Sequence, residues 1–319
     1  MLKSFKSVNG KLKEVVLEET ARDMAGRAKI CFWIDATQPT AGEVEELSKL
    51  TKIPVDELNM CLDEEERPRL EQTAEYSMIV YRAPHIHKET KKQKEETEIL
   101  TSPIGIFIVK DCVVTVHLHH TRYLEEMIEH STAIEDAPSF AHKIIAQITS
   151  RYFKIINKLD EDIENLEDEI FATPDKATVQ KIFETRKTLL FFHKSLTANR
   201  EVLVAIEKGY IPQIDKKTRE KFRDLYTETI QLIDMASTYR EILTGAIDIY
   251  RSALSNSTNA IMKTLTVVIA ALLLPILLAT LYYTNSVSVA GIPGIEIVLV
   301  LMIVSVAIVG FYARRKQWI

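Results

Sequence analysis

Cysteine is scarce in this chain, and familiar catalytic motifs are missing. The 319 residues include three cysteines, Cys31, Cys61 and Cys112, whose spacing fits neither a metal site nor a redox motif. The sequence also has no glycine-rich phosphate loop and no recognisable nucleophile motif. These absences argue against an enzyme. The scattered thiols fit a reducing, cytosolic domain.

Charge is missing from two stretches near the C-terminus, although 27% of all residues are charged and the net charge is −5. Leu265–Tyr283 carries no charge, and Gly291–Ala313 carries only Glu296. A helix needs about 20 mostly apolar residues to cross a bilayer. The two runs therefore predict two transmembrane helices in tandem. The first ten residues, MLKSFKSVNG, lack the apolar run of a signal peptide.

Basic residues flank these two runs on one side only. Lys263 precedes the first run, and 314–316 follow the second as Arg-Arg-Lys, whereas 284–290 contain no lysine or arginine. Positive charge favours the cytoplasmic side. We therefore expect a multi-pass protein of the cell (inner or plasma) membrane with both termini in the cytoplasm.

The first 125 residues alternate strand and helix signals. Asn9-Gly10 between two alternating stretches predicts a hairpin, and Thr40 with Glu43 predicts a capped helix that runs to about Leu50. A second short helix is expected over 54–61, and the mixed-charge stretch 82–98 reads as a solvated loop or hairpin tip. Strands are predicted at 29–36, 76–83, 103–110 and 112–119.

From Ser139 onward the apolar spacing is helical, with interruptions at Thr173-Pro174 and Pro212. After Lys217 the next proline is Pro275. A seven-residue apolar repeat predicts a coiled-coil seam that packs against sister chains or against the preceding helices. Its members are Leu225, Leu232, Tyr239, Ala246 and Ala253.

Several stretches, in this order, resemble the CorA family of divalent-cation channels. They are WIDATQPT (33–40), EERPRLE (65–71), LDEDIENLEDEIF (159–171), FRDLYTETIQLIDMASTYREILTGAIDIY (222–250), NAIMKTLTVV (259–268) and RRKQWI (314–319). The resemblance implies an α+β protein that assembles as a homopentameric channel.

The resemblance also implies a domain layout. It comprises a cytoplasmic α/β domain (1–125), a helical stalk (126–259), a pore-lining first transmembrane helix (260–284), an extracellular loop (285–291), a second transmembrane helix (292–313) and a basic cytoplasmic tail (314–319).

One departure from the family falls at its Gly-Met-Asn signature. Here Tyr283, Thr284 and Asn285 occupy those positions. Five copies of Asn285 would form a ring of amide oxygens at the outer mouth, able to bind the water shell of Mg²⁺, an ion that dehydrates reluctantly. The alternative role for this asparagine is local backbone capping.

The resemblance places a cytoplasmic constriction at Asn259, Met262 and Leu265. An apolar ring can gate a pore by dewetting, although ordinary packing would explain the same residues. The apolar stripe continues toward the mouth through Ile269, Leu272, Leu273 and Ile276.

A regulatory metal site is expected from the family at Asp224. The usual acidic partner falls at Met60, which cannot bind Mg²⁺, so Asp63 and Glu64 are the substitutes. Mg²⁺ between facing carboxylates would relieve their repulsion and hold two subunits closed. The alternative is a solvated acidic helix end.

Five histidines form two groups in the sequence. His85 with His87, and His117 with His119, alternate along strands, so paired Zn²⁺ ligation is one interpretation; His120 follows directly. Surface or strand-end histidines are the other interpretation.

The sequence therefore predicts a Mg²⁺ channel that works passively under the membrane potential and is gated by internal Mg²⁺. Co²⁺, Ni²⁺ and Zn²⁺ are alternative cargoes, and a non-conducting, membrane-anchored metal sensor is the alternative function. The expected partners are sister chains, membrane lipid and hydrated divalent cations. No nucleic acid is expected, because 82–98 mixes acidic with basic residues.

Overall fold

The computed structural model describes residues 1–8, 11–17, 20, 31–91, 94–110, 112–129, 134–172, 176–286 and 295–316. Some of these positions, including His87 and Asn285, are described by their backbone alone. The chain forms two compact units, Met1–Gly245 and Ala246–Ile319.

Seven strands of the first unit form one mixed sheet in the order β2-β1-β3-β7-β6-β5-β4. The central neighbours β3 and β7 are parallel, and all other neighbouring pairs are antiparallel. The strands are β1 (Leu2–Val8), β2 (Lys11–Val15), β3 (Phe32–Thr37), β4 (Arg69–Gln72), β5 (Ser77–Lys91), β6 (Lys94–Val109) and β7 (Cys112–His117).

Both segments for which the sequence predicts a hairpin pair as antiparallel strands. Antiparallel pairing of β1 with β2 confirms the first, although Asn9 and Gly10 themselves lie outside the described residues. For 82–98 the hairpin alternative is confirmed and the loop alternative is wrong, since β5 and β6 stay paired from Ser77 opposite Ile108 out to Lys91 opposite Lys94. Backbone pairing along the ladder outweighs the polar composition that suggested a loop.

Two short helices cover one face of the sheet. The first, α1 (Ala41–Thr51), has the predicted capping box: Thr40 Oγ1 accepts from the Glu43 N–H, and Glu43 Oε2 accepts from the Thr40 N–H at 2.8 Å. The second, α2 (Val55–Met60), follows directly. Leu47 and Leu58 from these helices are fully buried in one core with Ile34 of β3.

The opposite face is covered by α3 (Arg122–Glu129), α4 (Ala137–Ala172) and α5 (Lys176–Glu207). Trp33 of β3 packs against Phe140 of α4, with ring centroids 5.2 Å apart. Tyr152 of α4 meets Phe192 of α5 edge to face. The sequence predicts the two long helices but not α3, which is too short for its periodicity to stand out.

The next helix, α6, runs from Lys216 to Ser286 and contains Pro275. Leu225 and Leu232 of the predicted seam are buried within the first unit, as is Leu243, which lies between two seam positions. Burial and the carboxylate of Asp160 on α4 raise the pKa of Tyr239, a further seam residue. Over this stretch the seam therefore packs within one chain, as the intramolecular alternative requires.

The second unit contains the rest of α6 and the final helix α7 (Ile295–Arg315). Its described apolar side chains are largely exposed, from Ile261 of α6 at 65% to Phe311 of α7 at 71%. A helix that is apolar on every side needs lipid or other protein around it. This unit therefore has the surface of a membrane domain.

Candidate functional site

The predicted pore-lining residues lie on α6, spaced three or four positions apart, so they share one helix face. Asn259, at the start of this face, is exposed. The apolar members are at least half exposed in the single chain. They are Met262, Leu265, Ile269, Leu273 and Ile276. Leu272, the other predicted member, is equally exposed.

Length and composition identify α6 as a membrane-crossing candidate. In the part of the chain that the structure describes, Lys216–Leu281 is the helix that meets both criteria, and its apolar window is almost entirely exposed. In the described structure, side chains of other helices leave the predicted apolar pore-lining residues at least half exposed. The helix can therefore offer this face to sister copies and the remaining apolar surface to lipid.

Threonine hydroxyls on this helix donate to the backbone carbonyl four residues earlier. Thr266 donates to the Met262 carbonyl at 2.8 Å, and Thr284 donates to the Thr280 carbonyl at 2.8 Å. A hydroxyl that donates in this way keeps its lone pairs for acceptance. At the predicted mouth, Thr284 can thus accept hydrogen bonds from water.

The residues predicted to form the pore mouth lie at the C-terminal end of α6. Tyr283 is 75% exposed, and Asn285 is one residue before the helix ends at Ser286. The backbone carbonyls of a last helical turn lack intrahelical partners and carry partial negative charge. This end of the helix is therefore suited to face a cation.

The predicted regulatory carboxylates Asp63 and Glu64 lie in the loop after α2. Asp63 Oδ1 accepts from the Glu65 N–H at 3.0 Å, and Glu64 Oε1 lies 2.9 Å from His119 Nε2. Arg82 of β5 donates from Nη1 to the Glu64 carbonyl at 2.9 Å and to the Glu66 carbonyl at 3.0 Å. These contacts fix the acidic loop on the sheet.

Asp224 is exposed on α6. Burial and the charge of Asp224 together raise the pKa of Glu228, one turn further along the helix. Among the described residues, no three His, Cys, Asp or Glu side chains lie close enough to hold a metal ion. Asp224 therefore belongs to no such cluster within the part of the chain that the structure describes.

The histidines do not converge on one centre. His117 pairs with Asp35 at 3.0 Å, His119 with Glu64 and His120 with Glu125 at 2.9 Å. The rings of His85 and His119 stack with centroids 3.9 Å apart. Parallel rings do not aim their nitrogens at a common point, so this arrangement favours the structural interpretation over Zn²⁺ ligation; the side chain of His87 lies outside the description.

Arg82 and Asn199 are important residues that the sequence reasoning missed. Besides holding the acidic loop, Arg82 donates to both the carbonyl and the hydroxyl of Thr101. The buried amide of Asn199 on α5 then hydrogen-bonds the Arg82 backbone. No short sequence motif marks a contact between residues this far apart in the chain.

The family whose model matches the chain is described as CorA-like Mg²⁺ transporter protein, over residues 29–315. The chain is 36% identical over 300 residues to the cobalt/magnesium transport protein CorA of Methanocaldococcus jannaschii, covering 90% of this chain and 91% of that protein. It is 30% identical over 272 residues to the cobalt/magnesium transport protein CorA of Thermotoga maritima, covering 82% and 76%.

A solved structure shows the same likeness. The complete structure of the CorA magnesium transporter from Methanocaldococcus jannaschii superposes with a TM-score of 0.85 at 31% identity, covering 100% of this chain and 99% of that one. Sequence and fold therefore agree on one family.

Proposed function

Because the chain belongs to the CorA family of Mg²⁺ transporter proteins, which are transporters and not enzymes, we propose that it is a membrane channel for divalent cations. The channel moves Mg²⁺ passively down the membrane potential. The observation that carries the proposal is the uncharged, exposed face of α6 between Met262 and Ile276, which ends in oxygen acceptors. Five copies of α6 line the pore, and α7 surrounds them.

The mouth binds an ion together with its water. Mg²⁺ releases its water shell reluctantly, and the bound waters present hydrogens outward. Acceptor oxygens are therefore what the mouth needs: the Thr284 hydroxyl with its hydrogen already donated, the amide of Asn285 and the free carbonyls of the helix end. Neutral oxygens hold the hydrated ion loosely enough to release it.

Below the mouth, the apolar wall offers a hydrated ion no strong site at which it would be trapped. Met262 and Leu265 form the gate. A ring of these side chains dewets when the helices move inward. Asn259 provides amides on the cytoplasmic side of the gate.

Internal Mg²⁺ closes the channel by bridging subunits. Asp224 of one chain faces the loop that carries Asp63 and Glu64 of the next. Arg82 keeps that loop in a fixed position, which supports its use as half of a metal site. Without the ion the carboxylates repel one another, and the subunits separate.

The regulatory site can be tested by measuring how far Mg²⁺ protects the oligomer from proteolysis. Mg²⁺ should slow proteolysis of the wild-type oligomer, and Asp224→Lys should remove that effect because lysine repels the cation. Asp234→Lys, at another exposed position on the same helix, is the matched control and should keep the protection. Unchanged protection in Asp224→Lys would place the site elsewhere.

The transported ions are Mg²⁺ and Co²⁺. Two relatives from the same family, which are named as cobalt/magnesium transport proteins, support this choice. An ion panel in proteoliposomes tests the ranking. We expect influx of Mg²⁺ and Co²⁺ without a proton gradient. Zn²⁺-selective influx that requires protons would favour a zinc transporter of this family, and absence of all divalent flux from an intact oligomer would favour a non-conducting sensor.

A further inference from the structure

Thr280 extends the predicted pore face of α6 by one turn toward the mouth. It is four residues after Ile276 and seven after Leu273, a spacing that keeps all three on one side of the helix. It is also eighteen residues after Met262, which is about five full turns. Ile276 and Thr280 both follow Pro275, so a kink at the proline leaves their relative direction unchanged. The face therefore changes from apolar to polar at Thr280.

The Thr280 hydroxyl is an acceptor with its hydrogen already donated. The side chain is exposed, and Oγ1 donates to the Ile276 carbonyl at 2.7 Å. Thr284, one turn further along, donates in the same way to the Thr280 carbonyl at 2.8 Å. A hydroxyl in this state still accepts hydrogen bonds through its lone pairs. Two successive turns, about 6 Å apart along the helix, thus present acceptor oxygens on the same side.

Its position on the helix distinguishes Thr280 from a threonine that makes the same backbone bond elsewhere. Thr264 is exposed and donates to the Ala260 carbonyl at 3.1 Å, as threonines within helices commonly do. However, Thr264 is two residues after Met262 and therefore projects about 200° around the helix from it. Thr280 lies on the pore face, and Thr264 lies nearly opposite.

Two layers of acceptor oxygens suit a cation that keeps its water. Mg²⁺ holds an octahedral shell of waters at about 2.0–2.1 Å and releases them reluctantly. Opposite waters of this shell are therefore about 4 Å apart, and waters bound to a cation direct their hydrogens outward. An ion midway between layers about 6 Å apart has waters directed at both of them.

We propose that copies of Thr280 form the inner layer of a hydrated-cation site whose outer layer is Thr284. The inference rests on the proposed pore, in which copies of α6 face one another. The Thr280 hydroxyls bind the waters of the ion directly before the apolar wall begins at Ile276. Because the hydroxyl hydrogens are donated to the backbone, this layer accepts from the water shell of a cation and has no hydrogen to offer an anion.

Binding of cobalt(III) hexaammine to the purified full-length oligomer in detergent tests the site without requiring transport. The six ammonia ligands of this ion do not exchange, and they direct N–H groups outward as the waters of Mg²⁺ direct O–H groups. We expect Thr280→Val, which keeps the shape of the side chain but removes the acceptor, to weaken binding by about tenfold. Thr280→Ser, which keeps the hydroxyl, should bind as the wild type does.

Thr264→Val is the matched control, because it removes a hydroxyl with the same backbone bond from the other side of the helix. It should also bind as the wild type does. Titration calorimetry compares the four proteins, and heat from ions bound elsewhere on the oligomer is common to all of them.

Mg²⁺ influx into proteoliposomes gives the second readout. The Mg²⁺ concentration for half-maximal influx should rise by about tenfold in Thr280→Val and stay unchanged in Thr280→Ser and Thr264→Val. Weaker binding to Thr280→Val, together with a wild-type oligomer that does not conduct, would support the site and contradict the channel. Binding and influx in Thr280→Val equal to those of the wild type, or an equal loss in Thr264→Val or Thr280→Ser, would overturn the site and leave the channel standing.

Discussion

The side-chain amide of Asn199 pairs with the backbone of Arg82 as a neighbouring strand would. Asn199 Nδ2 donates to the Arg82 carbonyl, and Asn199 Oδ1 accepts from the Arg82 N–H, both at 2.8 Å. Both backbone groups of Arg82 point away from β6, toward the edge of β5 along which β4 pairs only as far as Val80, opposite Arg69. Helix α5 therefore completes the sheet at this position and is fixed to the strand that holds the acidic loop.

Replacing Asn199 should destabilise the first unit. Asn199→Leu leaves the Arg82 N–H without its partner, at a cost of about 1–3 kcal/mol, whereas the Arg82 carbonyl still accepts from the Tyr152 hydroxyl at 3.1 Å. We expect a clear fall in melting temperature of the full-length protein. Asn165→Ala removes an exposed amide that donates to the Glu161 carbonyl and should be nearly neutral. A melting temperature for Asn199→Leu equal to that of Asn165→Ala would contradict the pairing.

Gly105 of β6 should tolerate no side chain. A Cβ at this position would lie 2.2 Å from Cys61 Sγ and 2.9 Å from Cys61 Cβ, so Gly105→Ala should cost about 1–3 kcal/mol through overpacking. Cys61→Gly in the same chain should recover most of the loss due to the clash. Gly245→Ala has open space around it and should stabilise its helix by about 0.5–1 kcal/mol. Thermal melting of the three variants beside the wild type checks the order.

The buried pair of Asp35 and His117 should make stability depend on pH. Burial alone would lower the pKa of His117 and raise that of Asp35, but mutual attraction and hydrogen bonding outweigh it, so the pKa of His117 is raised and that of Asp35 is lowered. The pair therefore stabilises the fold fully between about pH 4 and 6.5, the pKa values of the unfolded chain. Its contribution is lost as the pH rises through the raised pKa of His117.

Comparison with a variant isolates this effect. His117→Gln cannot ionise, so the difference in melting temperature between wild type and variant should be largest near pH 6 and should shrink above the raised pKa of His117. Breaking such a buried pair costs about 3–5 kcal/mol. A difference that stayed constant from pH 6 to about pH 9 would show that His117 is neutral throughout the range.

Arg82 should control the mobility of the acidic loop. Arg82→Gln removes the donors to the Glu64 and Glu66 carbonyls, so the loop should open more often. Cleavage by a glutamate-specific protease after Glu64–Glu66 should then become faster, without a matching change at Glu161 and Glu164 on α4. Equal cleavage rates in wild type and variant would mean that other contacts hold the loop.

The sequence predicted what depends on local pattern. The Thr40–Glu43 capping box, the long helices and the two apolar C-terminal runs each leave a periodic or compositional pattern in the sequence. The helix α3 and the long β5–β6 hairpin do not, because the helix spans only Arg122–Glu129 and the hairpin is stabilised by pairing across strands that are polar in composition.

The candidate sites also differ in whether local sequence pattern or tertiary packing places their residues. The stripe from Asn259 to Ile276 was readable because helical spacing alone places its members on one face. The contacts of Glu64 with His119, and of Arg82 with Asn199, were not readable because they join elements far apart in the chain. Such contacts are set by tertiary packing.

The most direct test is Mg²⁺ influx into proteoliposomes containing the purified protein, driven by a negative-inside membrane potential. We predict passive influx that external cobalt(III) hexaammine blocks, because this ion has the size and shape of hydrated Mg²⁺ and fits the same acceptor oxygens at the mouth. Asn285→Ala should reduce the block and the flux together. Absence of Mg²⁺ influx from an intact oligomer, or influx that requires a proton gradient and is insensitive to the blocker, would contradict the account.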